Sequence, residues 1–292
     1  MTMKYTLGLG LSLLILTLSG CQSLQPSLSN RNIPLAKPID ISYKDELLVS
    51  RLTDILYQAE LTKEQKAQVY YERGVRYDAL GLRTLAKLDF GKALSLYPQL
   101  VEAYNFMGMY YTLEESFIRA YDAFDAVIDL NKEHEFAYLN RGVALYYDGR
   151  ASLAVDDFKT FWSHQPTDPY RAIWLYLGEH KKDPQKALNH LRTNYQEVAK
   201  EQWGHYIILA LMGDISEQAL LESASVNAKD NTEYAMRLCE AYFYLAKKYQ
   251  FEGKGFQAEH FFKMTIAMNV HEFVEYKYAK LELKRMNRAL AQ

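Results

Sequence analysis

The chain has 292 residues, a formal net charge of −2 and 24% charged side chains. That length accommodates one large domain or two ordinary ones, and the near-neutral balance excludes the basic face on which general nucleic-acid binding rests. Twenty-four tyrosines against 14 glycines and 7 prolines suit stacked helices better than sheets joined by many tight turns.

Residues 1–20 read as an address. Lys4 supplies a positive start, and Leu7–Leu18 is an apolar run too short to span a bilayer but of the length of a signal-peptide core. It ends in Leu18-Ser19-Gly20-Cys21, which resembles the lipobox of bacterial lipoproteins. The resemblance implies cleavage before Cys21, diacylglyceryl transfer to its sulfur and attachment to a membrane through several acyl chains, which together anchor stably where one does not. An ordinary secretory signal with an incidental cysteine is the competing reading. Gln22, in place of an aspartate, implies by resemblance to Gram-negative lipoproteins an outer-membrane, periplasm-facing location. With Cys21 taken, the second cysteine, Cys239 in Arg237-Leu238-Cys239-Glu240-Ala241, is a lone thiol, expected to be buried in a helix as a small apolar residue.

Residues 21–42 hold Pro26, Pro34 and Pro38 among serines and asparagines and are expected to form an extended lipidated tether. A helix over 43–61 follows, with Leu48, Leu52, Ile55 and Ala59 on one face. That face falls outside any repeat, which marks the helix as a dimer contact. Thr62 and Gln65 have the spacing of a capping box and open the next helix.

From there to residue 292 the chain repeats. Tyr70, Tyr104 and Tyr138 lie 34 apart, as do Gly74, Gly108 and Gly142, Ala86, Ala120 and Ala154, and Phe90, Phe124 and Phe158. This is the period of the tetratricopeptide repeat (TPR), one helix–turn–helix per copy. The small residues let paired helices approach, and the aromatics fill the space between them. Gly81 and Gly149 mark turns within a repeat, and Pro98 and Pro166 mark the ends of second helices. The middle copy departs, with Glu115 at the turn and Lys132 at the proline position. A degenerate fourth pair surrounds Trp174, Ala187 and Leu191, with Pro184 in the first turn of its second helix; a fifth runs over Trp203–Met212 and on from Ser216, broken at Gly213-Asp214. Tyr242, Ala246, Tyr249, Gly253, Ala258 and Phe262 restore the pattern, and an amphipathic helix over 273–291 is expected to cap the open end of the stack. The predicted fold is all-α, a TPR solenoid of antiparallel helix pairs.

No spacing of His, Cys, Ser or carboxylates suggests an enzyme, a metal site or a cofactor. The adjacent acids Glu114-Glu115 and Asp156-Asp157 read as solvated surface, since neighbours on a helix point about 100° apart. A solenoid instead offers a wall of first helices. The inward positions of TPR proteins map onto Tyr71, Val75 and Asp78 in the first copy, Asn105, Met109 and Thr112 in the second, and Leu139, Val143 and Tyr146 in the third. This mixture suits a docked peptide or helix.

Outside the generic repeat, three strings carry a narrower resemblance: Lys200-Glu201-Gln202-Trp203-Gly204, Ile215-Ser216-Glu217-Gln218, and Asn269-Val270-His271-Glu272-Phe273-Val274-Glu275. With the lipobox, the tether and the lone helix, they resemble the NlpI lipoprotein family of Gram-negative bacteria over essentially the whole mature chain. The resemblance implies a homodimeric adaptor without catalysis of its own. Such an adaptor docks a C-terminal processing protease of the Prc type, presents cell-wall endopeptidases of the MepS type for degradation and gathers other peptidoglycan hydrolases. A general scaffold for envelope assembly, and a cell-wall hydrolase in its own right, are the alternatives.

Overall fold

The computed structural model describes residues 33–291; the signal segment, Cys21 and most of the expected tether lie outside them. Among the described residues all regular structure is helical. A single helix α1 (Tyr43–Gln58) precedes six pairs: α2/α3 (Lys63–Ala79, Arg83–Leu96), α4/α5 (Val101–Leu113, Phe117–Leu130), α6/α7 (Glu135–Tyr147, Ala151–His164), α8/α9 (Pro169–His180, Pro184–Asn194), α10/α11 (His205–Met212, Glu217–Ser223) and α12/α13 (Asn231–Phe251, Gly255–Ala267). α14 (Val274–Leu290) follows. This is the TPR solenoid that the period predicts.

Local chemistry sets the boundaries. Ser42 caps α1 by accepting from the Asp45 amide at 3.2 Å. At α2 the expected box is complete: Thr62 Oγ1 accepts from the Gln65 amide at 3.2 Å, and Gln65 Oε1 accepts from the Thr62 amide at 2.9 Å. Asp183 caps α9, and Pro184 takes its first position, where the missing N–H is no loss. α3 and α7 stop two residues before Pro98 and Pro166.

The 34-residue register has a direct packing cause. A Cβ placed on Gly74, Gly108 or Gly142 would come within 2.8, 2.5 or 2.7 Å of the ring of Phe90, Phe124 or Phe158. Each first helix therefore carries a notch, and the second helix of the same copy fills it with a fully buried phenylalanine. Ala86, Ala120 and Ala154, equally buried, keep the helices close. A further element of the register appears only in three dimensions. Arg73 pairs with Asp89 at 2.6 Å, and Arg141 pairs with Asp157 at 2.7 Å. Asp157 is 6% exposed, which corrects its reading as solvated surface.

Two segments depart from expectation. Residues 34–40 are pinned to the far end of the solenoid. The Tyr242 hydroxyl donates to the Pro34 carbonyl, and Lys37 exchanges two hydrogen bonds with the Asn231 side chain, at 2.9 and 2.8 Å. The Ile39 amide donates to the Met268 carbonyl at 3.1 Å, and Asn269 Nδ2 donates to the Ile39 carbonyl at 2.7 Å. The chain thus leaves the last pair and reaches α1, which packs on α2, so both ends of the stack are tied to one strap.

The second departure is α14. It does not simply cap the stack; it folds back along the first helices. Lys277 pairs with Asp78 of α2 at 2.8 Å, and Tyr278 stacks on Tyr147 of α6 with centroids 5.2 Å apart. Its far end reaches the turn between α4 and α5, where Glu115 meets Lys284 at 3.1 Å and Arg288 at 2.8 Å.

Glu115, expected on the solvated surface, is therefore largely enclosed and carries an ion pair. It also holds a left-handed conformation, φ +60°, where the first and third copies have Gly81 (φ +73°) and Gly149 (φ +80°). Left-handed backbone costs a non-glycine residue about 1–2 kcal/mol, and the bridge to α14 offsets it. Burial raises the Glu115 carboxyl, but Arg288 and Lys284 outweigh this and hold it below the ordinary carboxylate range. Glu115→Ala loses the bridge and keeps the backbone penalty, whereas Glu115→Gly loses only the bridge. The glycine variant is expected to be the more stable by about 1 kcal/mol in urea titrations; equal midpoints would count against the strain.

Candidate functional site

α14 decides how much of the first-helix wall is free. Of the nine predicted positions, Asp78, Met109, Thr112, Leu139, Val143 and Tyr146 are each under a tenth exposed, while Tyr71, Val75 and Asn105 are half-buried. Asp78 is engaged twice: its Oδ2 takes the Lys277 ammonium, and its Oδ1 accepts from the Tyr110 hydroxyl at 2.7 Å. Thr112 returns its hydroxyl to the Gly108 carbonyl at 2.9 Å. Tyr146 lies beneath two cations, Lys181 at 3.9 Å and Lys247 at 5.0 Å from its ring centroid. The continuous open wall expected from the register is thus corrected: much of it is interior, and α14 takes up its middle.

The α14 contact is held by buried charge. Lys247 of α12 meets Glu282 of α14 at 2.5 Å, with side chains 4% and 7% exposed. Glu282 also accepts from the Tyr147 hydroxyl at 3.0 Å and from Gln250 at 2.9 Å. Burial pushes the Glu282 carboxyl up, but the Lys247 charge and these donors outweigh it and leave it below the ordinary range. Burial likewise lowers Lys247, and Glu282 with Tyr146 overcomes this and raises it to about 12. Both directions describe one ionised pair.

Beyond the start of α14 a cleft of about 400 Å³ remains open. Asn105, Met109 and Leu139 from the predicted wall line it, joined by Phe136 and Asn140 of α6, Phe161 of α7, Asp168, Tyr170 and Trp174 at α8, Glu240 of α12, and Glu272–Glu275 entering α14. The remaining predicted positions lie outside it. One flank is an amide pair, Asn140 Nδ2 donating to Asn105 Oδ1 at 3.0 Å. The other is acidic: Tyr170 donates to Glu240 at 2.7 Å, and Tyr244 donates to Glu275 at 2.7 Å. Burial raises both carboxyls, and at Glu240 the Glu275 charge adds to it. Cys239 lies beside the pair, fully buried, and burial followed by the same two carboxylates pushes its thiol well up; it is the inert thiol expected from its helix.

Sequence reasoning missed the acidic flank because its members come from three separate elements. The one available signal was the string Glu272-Phe273-Val274-Glu275, which no repeat demands. Asn140 escapes for a different reason: it follows Leu139 directly, and the register of inward positions passes over it.

No family model matches the chain. Among solved structures, it resembles the C-terminal part of a TPR repeat-containing protein from Cytophaga hutchinsonii, at 16% identity over 81% of each chain with a TM-score of 0.43. It also resembles a tetratricopeptide repeat protein from Parabacteroides merdae, at 15% identity over 82% of this chain and 99% of that one, TM-score 0.46. A third is Pseudomonas aeruginosa pilF, at 13% identity over 75% of this chain and 99% of that one, TM-score 0.44.

Proposed function

We propose that the protein is an adaptor, anchored through lipidated Cys21 to the outer membrane and facing the periplasm. It binds a C-terminal processing protease of the Prc type together with peptidoglycan hydrolases, and so promotes degradation of a MepS-type endopeptidase without turnover of its own. The observation that carries the adaptor reading is the cleft left open in the wall of first helices beside α14, whose amide, aromatic and acidic lining suits recognition of a peptide. The partner identities rest on the resemblance to the NlpI family. Purified mature protein added to protease and endopeptidase should speed loss of the endopeptidase on gels, and alone it should release no fragments from peptidoglycan. Fragment release by the isolated protein would replace this reading with the hydrolase.

Homodimerisation through α1 belongs to the same proposal. No residue of α1 is buried, although Arg76 holds Asp45 at 3.1 Å and Arg73 donates to Thr53 at 2.9 Å. Tyr57, Tyr43 and Leu47, 84%, 70% and 42% exposed, fall within an arc of about 80° at 100° per residue. This arc is on a different side of α1 from the expected face of Leu48, Leu52, Ile55 and Ala59, of which Leu48 and Leu52 are half-buried. Leu47→Glu with Tyr57→Glu should shift sedimentation from dimer to monomer while leaving helicity unchanged, because neither side chain packs in the core. A doubly substituted protein that still sediments as a dimer would exclude this face.

A further inference from the structure

The open cleft has one sign of charge. Asp168, Glu240, Glu272 and Glu275 line it, and no Lys, Arg or His does. Glu275 is 5% exposed and accepts from Tyr244, yet neither it nor Glu240 forms an ion pair with any described cation. The other carboxylate of α14, Glu282, is buried with a cation, Lys247. One buried and one half-buried carboxyl thus face a water-accessible cleft with Arg237 and Lys277 acting on them only from beyond ion-pair distance, an arrangement that a cation entering from outside would complete. Asn140, 8% exposed, uses one end of its amide on Asn105, and its other end has no protein partner. A free amide end in the same cleft as this carboxyl pair and an aromatic wall is the donor–acceptor set for a main chain with one positive side group. The carboxylates do not converge as a metal site, since no group of three His, Cys, Asp or Glu among the described residues can hold an ion.

We propose that this cleft receives an extended segment of a partner protein bearing a lysine or arginine, whose cation sits against Glu240 and Glu275 while the Asn105–Asn140 pair takes the neighbouring main chain. The proposal rests on the adaptor reading and names the chemistry by which that site would select. The size agrees with a short segment, since small ligand sites begin at about 300 Å³.

The test uses the mature protein and terminally blocked hexapeptides in a positional-scanning set. Lysine and arginine should be enriched at one position. The best lysine peptide should bind roughly tenfold or more tightly than its norleucine counterpart, as a charge-assisted hydrogen bond warrants. Glu240→Gln/Glu275→Gln should abolish that difference while keeping the circular dichroism spectrum, since glutamine still accepts from Tyr170 and Tyr244. Glu240→Gln alone, at a half-buried position, serves if the pair does not fold, and should reduce the preference. Equal binding of the lysine and norleucine peptides, preference for an acidic residue, no enrichment at any position, or a preference that survives both variants would each overturn the proposal. The endopeptidase-degradation assay separates the two claims: full stimulation with no lysine preference leaves the adaptor standing and removes the cleft, whereas lysine preference with no stimulation does the reverse.

Discussion

Lys247→Met is expected to cost the protein about 3–5 kcal/mol of stability at neutral pH, the usual penalty for stranding one partner of a buried ion pair. Glu282 would keep only the Tyr147 hydroxyl and Gln250 as donors, in a position 7% exposed. Because this pair joins α12 to α14, its loss should loosen α14 first, with amide exchange rising along Tyr276–Arg285 before the rest of the solenoid. The pH dependence carries a sign. In the native protein Glu282 lies below its ordinary value, so its contribution is present above the unfolded carboxylate pKa, about 4.3, and is lost as pH falls through the depressed folded value. Lys247 is raised to about 12, so its contribution is complete below the unfolded lysine value, about 10.4, and is lost only as pH climbs through 12. Removing Lys247 leaves burial as the dominant influence on Glu282 and reverses its shift. The variant's deficit should then be largest at pH 7 and shrink toward pH 4, where protonation neutralises the stranded carboxylate. Adding Glu282→Gln should recover much of the loss at pH 7, since the amide still accepts from Tyr147. A deficit of the same size at both pH values, unaffected by the second substitution, would mean that the lysine acts through packing alone.

Gly108→Ala and Gly91→Ala are expected to move stability in opposite directions. Both glycines sit inside helices, where alanine alone is worth about 1 kcal/mol. At Gly91 a Cβ meets nothing within 4 Å, so that gain should appear in full as a higher urea midpoint. At Gly108 the Cβ would lie 2.5 Å from the Phe124 ring, which is fully buried and packs with Ala120 and Ala144, also fully buried. The ring has no room to retreat. Overpacking of about 1–3 kcal/mol should exceed the propensity gain and lower the midpoint. Trimming the ring with Phe124→Leu should make the Gly108→Ala change less harmful in the double variant than in the single, a coupling that a double-mutant cycle reads directly. Stabilisation by Gly108→Ala would contradict the packing explanation of the 34-residue period.

Together these variants mark the boundary between what is written locally and what is not. The notch at Gly108 and its filler Phe124 are sixteen residues apart in one helix pair, and the same relation recurs in the next copy. Spacing alone therefore reveals it, along with the Thr62–Gln65 cap, the Gly81 turn and the all-helical class. The destination of α14 leaves no such trace. Lys277 finds Asp78 across 199 residues and Glu282 finds Tyr147 across 135, contacts made once and in no register, so nothing periodic announces them. Residues 34–40 behave alike: Pro38 and its polar neighbours suggest an unattached tether, and only the tertiary fold supplies Asn231, Tyr242 and Asn269 to bind it. Three of the nine predicted wall positions line the open cleft, because the repeat geometry places first helices inward whatever follows. Which of them stay open, and that an acidic flank faces them, was decided by α14, whose charged face finds its partners only once the whole superhelix is in place.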